Sequence, residues 1–107
     1  MSREHAIQRI IQDIKSSDSR IQIIGFIKDL VDDDHIILKD KSNDIKIDTK
    51  NVDFTFQKED LINVIGELNI TVEGEKEIEA EVIQDKKNLN FEYYLKLYEI
   101  KKELKLI

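Results

Sequence analysis

The run Asp32–Asp33–Asp34–His35 is the densest concentration of acid–base groups in this sequence. Carboxylates and imidazole are donor types that hold divalent cations. Consecutive acids, however, cannot converge on one ion unless a loop folds back, so the run reads as a solvated turn. Nothing elsewhere adds a reactive constellation. The chain has no cysteine, which excludes thiolate chemistry and disulfides. It has no Gly-rich phosphate loop and no His-x-x-x-His or Glu-x-x-His pair. His5, the other histidine, reads as a surface residue. No catalytic residue, metal set or cofactor is therefore expected, and the chain is not expected to be an enzyme.

Binding chemistry is better supplied. Aromatic rings stack on nucleobases and cations track phosphates. The residues that could do this are Phe26, Lys28, Lys39, Lys46, Phe54 and Phe56, with Lys41 beside them. Each of those lysines lies near an acid: Asp29, Asp40, Asp44 or Asp48. Glu77, Glu79 and Glu81 form an outward acidic row that repels phosphate. The whole chain carries 23 Asp and Glu against 17 Lys and Arg, a formal charge of −6. Autonomous, tight binding of nucleic acid needs clustered cations, so only weak binding is expected.

A second candidate surface lies near the end of the sequence. Placed at 100° per residue, Phe91, Tyr94, Leu95 and Tyr98 fall on one stripe of a helix. Tyr93, Leu97, Ile100, Leu104 and Ile107 fall on another, nearly opposite. One stripe can close on the domain, whereas the other has little left in 107 residues to cover it. Tyr93, Leu97, Ile100 and Leu104 are therefore expected to meet a partner helix.

The elements that position these residues follow from periodicity. Ile7, Ile10, Ile11 and Ile14 predict an N-terminal amphipathic helix within 1–15, with Ser2 as N-cap. RIQIIGFIKDLV predicts a long strand, apolar on both faces, with Gly25 allowing a bend. HIILKD, DIKIDTK, LINVIGELNITV and EIEAEVIQD predict four more strands. In the last, Ile78, Ala80 and Val82 are expected inward. NVDFTFQKED reads as an irregular connection with a short helical turn, and the final helix is expected over 90–105.

The chain thus reads as one all-β domain, 1–107, with a barrel over 20–85. A long bent first strand, and an interruption between the third and fourth strands, describe a five-stranded OB-fold barrel. An SH3-like barrel or a small meander fits the same periods. No apolar run approaches the roughly 18–20 residues of a membrane span, and MSREHAIQRI lacks a secretory apolar region. A cytoplasmic protein without a membrane partner is expected.

The succession IIGFIKDL, HIILKDKSNDIKID, LINVIGELN, EIEAEVIQD, NLNFEYYLKLYEI resembles the small OB-fold subunits of replication protein A, the heterotrimeric single-stranded DNA-binding complex. The Val64–Gly66 step and the helix opening at Asn88 to Tyr94 carry the likeness. The N-terminal helix resembles the smallest subunit, of archaeal type. HIILKDKSNDIKI departs from the family in lacking glycines at its turn, where Asn43 or Asp44 would supply a positive φ. The resemblance implies a non-catalytic subunit for DNA replication and repair. Its C-terminal helix would join a bundle with other OB-fold subunits, while a larger partner supplies most of the DNA grip. It also implies a nucleoid-associated place in a prokaryote, or a nuclear one in a eukaryote. An independent DNA- or RNA-binding OB protein, and an adaptor unrelated to replication, are the alternatives.

Overall fold

The computed structural model describes residues 5–107. In chain order the elements are β1 (Ile7–Gln8), a single 3-10 turn (Ile11–Asp13), β2 (Arg20–Asp32), β3 (His35–Lys39), β4 (Asp44–Asp48), β5 (Leu61–Ile70), β6 (Lys76–Asp85) and α1 (Phe91–Glu103). Hydrogen bonding runs β2-β3-β4-β6-β5 and closes through a β2–β5 pairing. The five long strands form a closed barrel, and the parallel β4–β6 step rules out a simple meander. This arrangement fits the OB-fold.

The two apolar faces of β2 explain the architecture. Ile21, Ile23 and Ile27 are fully buried in the barrel interior with Ile36, Leu38, Ile47, Ile62, Val64 and Ile78. Each such side chain contributes roughly 2 kcal/mol by leaving water. Ile24, on the opposite face, packs outside the barrel with Leu61, Phe91, Phe26, Leu89, Tyr94 and Leu95. The first half of β2 pairs with β5 and the second with β3, and Phe26 is paired to both Leu61 and Lys39. Gly25 sits at that changeover, where a Cβ would collide with the Lys39 carbonyl oxygen. Gly66 meets the Glu79 carbonyl in the same way. Neither site has room for a side chain.

Four local expectations need correction. Where a helix was expected within 1–15, the described residues hold the two-residue strand β1 and one 3-10 turn; Ser2 lies outside the described residues. Ile10, Ile11 and Ile14 are buried as the apolar spacing implied, but Ile7 is exposed. The barrel supplies hydrogen-bond partners that make a helix unnecessary. β1 pairs in parallel with Ile21 and Gln22 of β2. The backbone N–H of Ile11 donates to Asp40 Oδ2 at 2.8 Å, and that of Gln12 to Ser42 Oγ at 3.1 Å.

In β6, Val82 faces outward rather than inward. The β5–β6 register slips between Ile65 and Gly66, so that Val82 opposes Ile65 while Ala80 opposes Gly66. The extra residue, Glu81, reverses the alternation, and Ile83 packs on the core instead. The connection after β4 contains hydrogen-bonded turns, Val52 N–H to Thr49 and Asp60 N–H to Gln57, without a helix. At the β3–β4 turn neither Asn43 nor Asp44 has positive φ. Asp40 closes the turn instead, with Oδ1 accepting from the N–H of Ser42 (2.8 Å), the Ser42 hydroxyl (2.6 Å) and the N–H of Asn43 (3.1 Å).

Candidate assembly surface and nucleic-acid face

Helix α1 starts at Asn90, whose side chain accepts from the Tyr93 N–H at 3.0 Å. Lys105, at φ 59°, ends it in the left-handed region, with the Leu106 N–H donating to the Lys101 carbonyl at 2.8 Å. Its barrel-facing side is built from the stripe Phe91, Tyr94, Leu95 and Tyr98. Phe91 meets Phe26 edge to face with ring centres 5.2 Å apart and stacks on Tyr94 at 6.2 Å. Gln8 donates to the Tyr94 hydroxyl at 2.9 Å.

Tyr98 is 1% exposed, and its hydroxyl donates to Asp13 Oδ2 at 2.8 Å. Lys102 reaches the same oxygen at 2.9 Å. Burial, and then the bond to Asp13, push the Tyr98 phenol up to about 12. Burial raises the Asp13 carboxyl, but hydrogen bonds from Lys102 and Tyr98 outweigh it and hold the group below its ordinary value. The helix is thus locked to the chain's N-terminal segment by side-chain bonds as well as apolar contact.

The other side of α1 faces solvent. Tyr93 is 60% exposed, Leu97 39%, Ile100 52% and Leu104 64%, and Leu106 just beyond is 67% exposed. Ile107 is partly covered. Four large apolar side chains recurring at helical spacing make a continuous ridge. A ridge of this kind can insert between the side chains of a second helix.

The residues singled out for nucleic acid do not form one surface. Phe26 is half-buried between β2 and the helix, where it edges a groove of about 420 Å³ with Phe91, Leu89, Lys41 and Lys87. Phe54 and Phe56 meet edge to face at 5.5 Å and pack against the barrel core. Lys28 bonds Asp44 at 2.8 Å, and Lys41 pairs with Glu92. Lys39 lies opposite Phe26 and Asp44. Lys46 lies between Ile37 and Glu77. Of the six predicted contacts, Lys46 lines an open groove of about 620 Å³ over β3 and β4, with Val31, Ile37, Asp44, Glu75 and Lys76. That groove mixes both signs of charge and presents no aromatic ring.

The acidic turn also has an unexpected geometry. Asp32 Oδ1 accepts from the Asp34 N–H at 2.8 Å and lies 2.9 Å from His35 Nδ1. The other imidazole nitrogen faces Glu77 Oε1 at 3.8 Å, and donor atoms of His35, Asp48 and Glu77 lie within 4.8 Å of one another. Sequence reasoning missed this group because its members come from β3, β4 and β6. The legible signal was the clean alternation of DIKID and KEIEAE, which places Asp48 and Glu77 on outward faces.

No helix among the described residues is long and apolar enough to cross a membrane. No family model matches the chain, and no curated protein matches it. Solved structures do. The chain is similar to the telomere capping protein Ten1 from Saccharomyces pombe, with 17% identity over 92% of this chain and 99% of that one, at a TM-score of 0.76. It is similar to a chain of the S. pombe Stn1–Ten1 complex, with 16% identity over 95% and 96%, also at 0.76. The hypothetical protein ygiW from E. coli superposes less fully, with 22% identity over 78% and 91% at 0.61. At these identities the likeness establishes a shared fold.

Proposed function

We propose that the chain is a non-catalytic subunit of a single-stranded DNA-binding complex of the replication protein A kind. It acts mainly as an assembly scaffold through the exposed face of its C-terminal helix. The observation that carries this reading is the ridge Tyr93, Leu97, Ile100, Leu104, which stands in water on a helix whose opposite face is already packed. Burial of such a ridge against a partner helix is the favourable outcome of the hydrophobic effect. The similarity to a chain from a two-protein complex supports an assembly role.

The dispersed, acid-paired lysines and the packed aromatics support weak DNA contact by this subunit and a stronger grip by its partner. The complex would then serve DNA replication or repair, as a heterotrimer, in the nucleoid or the nucleus. Its similarity to a telomere capping protein favours a second reading, in which the same scaffold belongs to an assembly that protects DNA ends. Both readings set this chain beside another OB-fold subunit.

Titration of a labelled single-stranded oligonucleotide at near-physiological salt tests the division of labour. The isolated chain is expected to bind no tighter than roughly micromolar, because few counterions are released on contact. Sub-micromolar affinity with a steep salt dependence would instead identify an independent nucleic-acid binder. Affinity purification of the tagged chain from its own cell then separates the two readings, by whether replication subunits or an end-capping protein co-elutes.

A further inference from the structure

We propose that His35, Asp48 and Glu77 form a binding site for one divalent metal ion of the zinc class on the outer face of the barrel. The strand register brings the three together. His35 is the cross-strand partner of Asp48, and Glu77 is the partner of Lys46, two residues before Asp48 on the same face. Their donor atoms lie within 4.8 Å of one another, with His35 Nε2 and Glu77 Oε1 at 3.8 Å. Metal bonds of about 2.0–2.2 Å need tetrahedral donors closer than this, at roughly 3.4 Å. Small side-chain rotations close the difference.

Three features set this group apart from scattered surface acids. The first is the imidazole. Asp32 Oδ1 holds its Nδ1 at 2.9 Å, which leaves Nε2 facing Glu77 at 3.8 Å. A ligating histidine is commonly fixed in this way, with its second nitrogen donating to a carboxylate. The second is burial. Asp48 is 9% exposed, and the Glu77 side chain is 20% exposed. Asp48 Oδ1 accepts from the Lys50 N–H at 2.9 Å, while the Lys50 ammonium stands 3.7 Å from Oδ2 on a side chain 59% exposed. Two carboxylates converging under partial cover favour a cation between them. A neutral imidazole and two carboxylates carry −2, which a divalent ion neutralises.

The third feature is the place. The β4–β6 ladder has three register pairs, Lys46–Asp48 against Glu77–Glu79, the shortest of the seams that close the barrel. A metal bridging β3, β4 and β6 would clip that seam from outside. Three protein ligands leave a fourth position for water or for a donor from a partner.

The experiment uses the full chain stripped with a chelator, titrated calorimetrically with Zn²⁺ and melted with and without it. One equivalent is expected to bind, with a rise in Tm. Co²⁺ in its place should give the visible absorption of a tetrahedral site containing nitrogen. His35→Gln and Asp48→Asn should each lose the Tm rise, while their metal-free melts stay close to that of the parent chain. Asp32→Asn should keep the stoichiometry and weaken affinity by about ten- to a hundredfold, the effect of an outer partner. Asp33→Asn should change neither. Failure to bind one equivalent overturns the proposal. So does undiminished binding in His35→Gln and Asp48→Asn, which would mark diffuse attraction to surface acids.

Discussion

The two sides of helix α1 carry nearly the same number of large apolar side chains and have opposite fates. On one side Phe91 and Tyr98 are buried, and Tyr98 passes a hydrogen bond to Asp13, more than eighty positions earlier in the chain. On the other, Tyr93, Leu97, Ile100 and Leu104 remain in water. Hydrophobicity therefore does not decide which stripe the domain keeps. Polar reach does. Tyr94 and Tyr98 place hydroxyls where Gln8 and Asp13 can meet them, so rings can be buried without stranding their polar tips. The outer stripe has no such partner within the described part of the domain.

The largest effect should come from the inner side. Tyr98→Ala removes a fully buried ring and leaves a cavity beside the N-terminal segment, which should cost about 3–5 kcal/mol in chemical denaturation. Tyr98→Phe keeps the ring and should cost much less, and this separates packing from the Asp13 bond. A small loss from Tyr98→Ala would mean that the helix contributes little to the fold.

Leu97→Glu with Ile100→Glu probes the outer side. Two carboxylates would have to enter an apolar seam, so association with a partner should fall by about a hundredfold or more, measured by light scattering or co-purification. Stability of the isolated chain should stay within about 0.5 kcal/mol, because both positions face water. A double variant that assembles normally would break the contrast between the two sides. One that unfolds would assign the outer stripe to this domain's own core.

The smallest effect is a titration. The Tyr98 phenol is raised from an ordinary 10.0 to about 12 by burial and by its bond to Asp13. The folded state therefore favours the protonated phenol. The associated stability is fully present below pH 10 and is lost as pH rises through about 12. Ultraviolet titration of tyrosinate should show a group ionising at about 12 that disappears in Tyr98→Phe. Ionisation of Tyr98 near its ordinary 10.0 would show that the inner side is open to water.

Much of this fold is legible in the order of residues alone. Isoleucine-rich strands with period two, both apolar sets of β2, and the two glycines without room for a side chain are written in local residue choices. So is the division of α1 into two stripes, since 100° per residue settles which side chains share a face. The N-terminal segment is not legible in this way. Ile10, Ile11 and Ile14 satisfy helical spacing, yet Asp40, Ser42 and the edge of β2 offer their backbone better partners than a helix would. Local spacing carries no information about acceptors thirty residues away.

The same limit governs the sites. A register slip at Glu81 turns Val82 outward, although the letters on either side alternate without a break. Which carboxylate meets which lysine depends on strand pairing, as with Lys28 and Asp44 or Lys46 and Glu77, and aromatics suited to base stacking are used for packing. His35, Asp48 and Glu77 are strangers in sequence and neighbours across three strands. Residue order settles the elements and their oily faces, because those depend on periods of two and 3.6 residues. Which polar groups meet is settled by closure of the barrel, because hydrogen bonds, ion pairs and metal donors act over a few ångströms between strands far apart in the chain.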